Sequence, residues 1–157
     1  MKSREQVVVD APAERVWPWV ADPERVRAWN EKLVDHTSPP LEELTVGTQY
    51  WTTHRMRRDT RVRATITAWS PPTLVEVRSE DGDLGRDGWV VERIEIEPRG
   101  AECGVERTVQ IHDPRIPWYF RLLASYLMRF GTPKGETNLE ALKRRVEGGS
   151  GTPAGDA

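Results

Sequence analysis

The chain has 157 residues, a mass of 18.0 kDa and a formal charge of −2, from 23 Lys and Arg against 25 Asp and Glu. That size suits one domain whose core buries about two-thirds of the unfolded surface, and the lack of a basic excess argues against nucleic-acid binding. No apolar run is long enough to span a bilayer or act as a secretory leader, so a cytoplasmic protein is expected, and the lone Cys103 excludes an intramolecular disulfide or a cysteine-cluster zinc site.

Val7, Val8 and Val9 predict a strand over 3–10, ended by Asp10-Ala11-Pro12. A short helix over 12–21 follows, with Val16, Trp17 and Val20 apolar and Pro18 depriving it of one hydrogen bond. Asp22-Pro23-Glu24 opens a second short helix to about Trp29, with Asp as N-cap and Pro at the first helical position. Six strands are predicted at 32–38, 46–56, 60–70, 73–80, 87–97 and 101–112. Turn-rich segments such as Ser70-Pro71-Pro72, Asp81-Gly82-Asp83 and Pro98-Arg99-Gly100 separate them. Alternation puts Val62, Ala64, Ile66 and Ala68 on one face, and Val90, Ile94 and Ile96 on another. Beyond Asp113-Pro114 the period becomes helical through Ile116, Phe120, Leu123, Leu127 and Phe130, widened by Tyr119, Leu122 and Tyr126. Gly131-Thr132-Pro133 predicts a kink, after which Leu139, Leu142 and Val146 resume the buried stripe. Residues 148–157 are small, polar and glycine-rich, a disordered tail behind a single domain at 1–147.

Charge suggests a register for the last hairpin. A turn centred on Arg99-Gly100 pairs Ile96 with Cys103, Ile94 with Val105 and Val90 with Val109, and on the other face Arg93 with Glu106. The same register sets Glu92 opposite Arg107 on the apolar side, as an ion couple or as the lining of a wet cavity. In the hairpin before it, Met56 opposite Thr60 turns Tyr50, Thr52 and His54 toward Val62, Ala64 and Ile66. Closing it one residue differently turns Trp51 and Arg55 there, with no evident partner for Arg55, so the first closure is preferred.

The run Val9-Asp10-Ala11-Pro12-Ala13-Glu14-Arg15-Val16-Trp17 leads into Ala21-Asp22-Pro23 and Trp29. With Val46-Gly47, Trp69-Ser70-Pro71-Pro72 and Asn138-Leu139-Glu140-Ala141-Leu142-Lys143-Arg144, it resembles the START-like (SRPBCC) superfamily, most closely its polyketide cyclase/dehydrase-related branch. The resemblance covers residues 3–147. It implies an α+β helix-grip fold: a curved seven-stranded antiparallel sheet wrapped around a long C-terminal helix, two short helices after strand 1, and a cavity between helix and sheet. Cyclases, dehydratases, lipid carriers, hormone receptors and quinone-binding proteins share this fold without a common catalytic signature.

For chemistry in such a cavity the candidates are Glu92 as acid/base carboxylate, Arg107 as its partner or an oxyanion stabiliser, and His54 with Tyr50 as further donors. His54 reads more simply as a strand histidine that packs or faces solvent. Trp29, Trp118, Tyr119, Leu122, Tyr126 and Phe130 are candidate ligand-binding walls, with Ile66, Val77 and Val90 as floor, though each alone suits an ordinary core. His36 is expected at the surface and His112 as a local cap; with His54 they lack metal-ligand spacing, so neither metal nor cofactor is expected. Arg57-Arg58, flanked by Arg55 and Arg61, makes a basic hairpin tip, either solvated or a dock for an anionic partner. Three functions fit: a cofactor-independent cyclase/dehydratase acting on a hydrophobic or aromatic substrate, a carrier of a lipid, quinone or other hydrophobic molecule, and a protein-interaction module. The expected partner is a hydrophobic small molecule, with a homodimer left open.

Overall fold

Strand β1 (Lys2–Val9) is followed by helices α1 (Ala13–Ala21) and α2 (Pro23–Val26), then by strands β2 (Leu33–His36), β3 (Gln49–Arg55), β4 (Asp59–Ser70), β5 (Leu74–Glu80), β6 (Trp89–Arg99) and β7 (Glu102–His112). A C-terminal helix occupies Asn138–Ser150. The computed structural model describes residues 1–56, 58–117, 119–120, 122–123 and 136–150. The strands form one curled antiparallel sheet in the order β1-β7-β6-β5-β4-β3-β2, the helix-grip arrangement expected. Residues 119–120 and 122–123 are helical. The rest of the predicted 116–130 stripe and the kink at 131–133 lie outside the described residues. The C-terminal helix runs through Gly148, past the expected boundary at 147. No helix among the described residues is long and apolar enough to cross a membrane.

The short helices form where the chain supplies their ends. Asp22 accepts a hydrogen bond from Glu24 N at 3.0 Å, and Pro23 starts α2. α1 tolerates Pro18, whose carbonyl caps the helix by accepting from Asp22 N at 3.1 Å. At the start of the C-terminal helix Thr137 and Glu140 form a reciprocal capping box, each side chain accepting from the other's backbone N–H at 3.2 Å. That helix buries Leu139, Leu142 and Val146 against Val16, Trp17 and Val20 of α1 and against Val9, Ile94, Ile96, Cys103 and Val105 of the sheet. Its polar side grips the end of β1, an edge of the sheet. Lys143 Nζ donates to Val8 O at 2.8 Å, and Glu147 accepts from Asp10 N at 2.8 Å.

Both predicted hairpin registers are corrected by two residues. β6 and β7 turn on Gly100-Ala101, so Ile96 faces Val105, Val90 faces Ile111 and Arg99 faces Glu102. The reason is Gly100 at φ +70°, at the first central position of a two-residue turn, where a type II′ turn needs positive φ. Arg93 therefore faces Thr108 and binds Glu76 at 3.0 Å and Glu95 at 2.5 Å, while Glu106 takes Arg4 and Gln6, each at 2.7 Å. In the β3–β4 hairpin Arg55 pairs with Asp59 and His54 with Thr60. A two-residue shift leaves every side chain on its face, because the period of a strand is two. One face assignment does change. A bulge between Ile66 and Ala68 sets Ala68 beside Glu76 and turns Trp69 inward opposite Val75, where it meets Trp17 edge-on at 5.0 Å.

Candidate functional site

Parity decides which polar side chains share the inner face with the core. On β6, Ile94 and Ile96 carry Val90 and Glu92 with them; on β7, Cys103 and Val105 carry Arg107; on β1, Val7 and Val9 carry Glu5. In the corrected register Glu92 faces Val109 and Ile94 faces Arg107, so the two charges are diagonal neighbours, within reach of long side chains. Arg107 Nε donates to Glu92 Oε2 at 2.7 Å, Nη2 lies 2.6 Å from the same oxygen as an ion pair, and Nη1 lies 3.7 Å from Glu5 Oε1. The Arg107 side chain is 12 % exposed, against 30 % for Glu92 and 32 % for Glu5, so the carboxylates carry what access to solvent remains. The Leu139 N–H donates to Glu5 Oε2 at 3.3 Å, joining this triad to the first turn of the C-terminal helix.

β3 brings Tyr50, Thr52 and His54 to the same face, Tyr50 opposite Ala64 and Thr52 opposite Val62. Burial, reinforced by the charge of Glu92, holds the Tyr50 phenol far above its usual range, so it is a proton-bearing donor. Burial also pushes the His54 imidazole below its usual value; Glu92 opposes this, while Arg107 and Lys32 add to it. His54 is therefore neutral at pH 7, with Nε2 3.1 Å from Thr52 Oγ1. Ile66 and Val77 lie side by side in the sheet and Glu92 follows Val77, so an apolar floor runs directly up to the carboxylate. Val90 continues that floor on β6.

Other candidates sit elsewhere. Trp29 is packed in the main core, and its indole N–H donates to Trp19 O at 2.8 Å. Tyr119 and Leu122 are exposed, and Trp118, Tyr126, Phe130 and Arg57 lie outside the described residues. His36 binds Glu24 at 2.7 Å. His112 does not cap; it stacks on Trp89 on the outer face, ring centroids 5.4 Å apart. Arg61 lies over the Trp51 ring at 4.7 Å. Among the described residues no group of three or more His, Cys, Asp and Glu could hold a metal. Glu5 escaped the sequence reading, although it shares parity with Val7 and Val9.

A neutral buried histidine has a measurable signature. Folding stability is expected to fall as pH drops below about 6.5, because the unfolded chain binds a proton on His54 before the folded chain does. His54→Gln removes up to about 1.4 kcal/mol per pH unit of that slope, read from urea denaturation at pH 8, 6 and 5. Identical slopes in the two proteins would place His54 in solvent.

Residues 1–147 match the family model described as polyketide cyclase / dehydrase and lipid transport. Among solved structures the chain is similar to protein TTHA0849 of Thermus thermophilus (20 % identity, 96 % of this chain and 99 % of that one, TM-score 0.69). It is also similar to norcoclaurine synthase of Thalictrum flavum (13 %, 96 % of each chain, TM-score 0.60). DynU16, from the dynemicin biosynthetic locus, matches at 20 % identity over 94 % of this chain and 48 % of its own, with TM-score 0.60. At such identities the likeness shows the fold alone. No curated protein matches the chain.

Proposed function

The chain belongs to the polyketide cyclase / dehydrase and lipid transport family, and from that premise we propose that it binds a hydrophobic or aromatic small molecule on the inner face of its sheet and acts on it as a cofactor-independent cyclase or dehydratase. The observation that carries the reading is a carboxylate beside an apolar floor, Glu92 next to Val77 and Ile66, with a protonated phenol and a neutral imidazole on the strand β3.

Glu92, paired with Arg107, takes a proton from a carbon next to a substrate carbonyl. The Tyr50 hydroxyl donates to the oxygen that becomes the enolate, whose carbon then attacks a second carbonyl and closes the ring. The new alkoxide recovers that proton, and water is lost when Glu92 takes the adjacent α-proton and returns it to the departing hydroxyl. A positioned acid or base supplies roughly 10²–10⁴-fold in such a step. The second reading is a carrier, which the lipid transport in the family's description supports.

Val77→Trp tests the location. Filling the floor is expected to weaken binding of an uncharged aromatic ketone at least about tenfold by calorimetric titration, at a temperature below the onset of the variant's own thermal unfolding, which overpacking is expected to lower. Unchanged binding would move the ligand elsewhere and end this reading. Glu92→Gln separates the two roles: a carrier keeps its affinity and loses nothing, whereas an enzyme keeps its affinity and loses turnover of a cyclising diketone.

A further inference from the structure

The inner face also has a charge preference, an inference that rests on the ligand site above and narrows what it accepts. Its open polar atoms are few. Tyr50 is 8 % exposed, yet its hydroxyl has no hydrogen-bond partner among the described residues. Among those residues Arg63 Nε is the one fully enclosed side-chain polar atom without a partner, so the Tyr50 oxygen keeps access to open space. Glu92 gives Oε2 to both the hydrogen bond and the ion pair with Arg107 and leaves Oε1 without a partner among the described residues. In the sheet Val77 and Val109 flank Glu92, and Val90 lies between Ser79 and Ile111. A ligand across these apolar neighbours meets the neutral donor of Tyr50, the neutral imidazole of His54 and the anionic acceptor of Glu92.

The cation nearby is already engaged. Arg107 stands between two carboxylates, so Glu5, Glu92 and Arg107 together carry −1. Lys32 is the other cation felt by His54; it is exposed, so solvent screens it. A carboxylate entering here loses water beside a net negative charge, and the guanidinium of Arg107 is already held between Glu92 and Glu5.

We propose that this face selects an uncharged, oxygen-bearing aromatic or polyketide-like ligand, its carbonyl accepting from Tyr50 and its hydroxyl donating to Glu92 Oε1, and that it rejects the carboxylate of the same skeleton. The selectivity resides in Glu5 as much as in Glu92: Glu5 makes the triad negative although it contributes no atom to the ligand's hydrogen bonds.

Calorimetric titration at pH 7 with two probes tests this: a hydroxynaphthyl methyl ketone and the hydroxynaphthoate of the same substitution pattern. The ketone is expected to bind wild type at least about tenfold more tightly. Glu5→Gln, which keeps an acceptor for Leu139 N, narrows that gap about tenfold by strengthening the carboxylate alone. Tyr50→Phe weakens the ketone about two- to tenfold and leaves the carboxylate unchanged. A carboxylate that binds wild type as tightly as the ketone overturns the proposal, and so does a ratio unmoved in folded Glu5→Gln; the wild-type ratio decides alone if that variant does not fold. Equal binding of both probes that Val77→Trp abolishes overturns the selectivity and keeps the site. Binding of neither probe to wild type overturns the site together with its selectivity.

Discussion

Arg107→Met is expected to lower folding stability by about 3–5 kcal/mol, at the lower end because both stranded carboxylates keep some solvent. Methionine fills much of the volume, so the loss reports charge more than space. Glu92 loses its hydrogen bond and its ion pair, and Glu5 loses the cation that offsets its own charge. Glu92→Gln alone should cost less, since the amide oxygen still accepts from Arg107 and Glu5 still balances the guanidinium. Combined with Arg107→Met, Glu92→Gln should recover part of the loss, because one stranded charge has gone; urea unfolding of the four proteins gives the coupling directly. An Arg107→Met protein as stable as wild type would mean that the pair is wet and contributes nothing to the fold.

Leu142→Ala should cost about 2–5 kcal/mol, the usual range for emptying a fully buried leucine site. Leu142 has no exposed surface and sits in the contact between the C-terminal helix, α1 and the sheet. Leu142→Met, of similar volume and greater flexibility, should cost less than about 1.5 kcal/mol. Equilibrium urea denaturation measures both. A loss below 1 kcal/mol for the alanine variant, on the scale expected of surface positions, would show that the helix does not depend on this contact. Because Leu139 N binds Glu5, a loosened helix should also weaken ligand binding, which the ketone probe reads independently.

The order of elements and the membership of the inner face were readable in the sequence, because valine and isoleucine alternate cleanly in the strands that carry Glu92 and Arg107. The exact pairing was not. Pairing Arg93 with Glu106 satisfies the charge pattern, yet on a face crowded with charge each finds other partners, Glu76 and Glu95 for the one, Arg4 and Gln6 for the other. The glycine at the turn was the better guide, since only its position separates one even register from the next. Inner-face membership survived because both errors were even; the bulge before Ala68 is odd, and nothing in Thr67 announces it. Glu5 could have been placed inward by parity. Its meeting with Arg107 depends on β1 joining β7 from the far end of the chain, which no local pattern records. Trp29, expected at a wall, found a hydrogen-bond partner inside the core instead.

The grip of Lys143 and Glu147 on the end of β1 bears on how these molecules behave toward one another. β1 is an open border of the sheet, and its Val8 side chain is exposed beside the carbonyl and amide that the helix occupies. A chain cut before residue 138 would present that border bare, with backbone donors and acceptors in line and an apolar side chain next to them. Such an edge invites the strand of a neighbouring molecule, so the shortened protein should accumulate as intermolecular sheet, while the full chain carries its own guard against that growth.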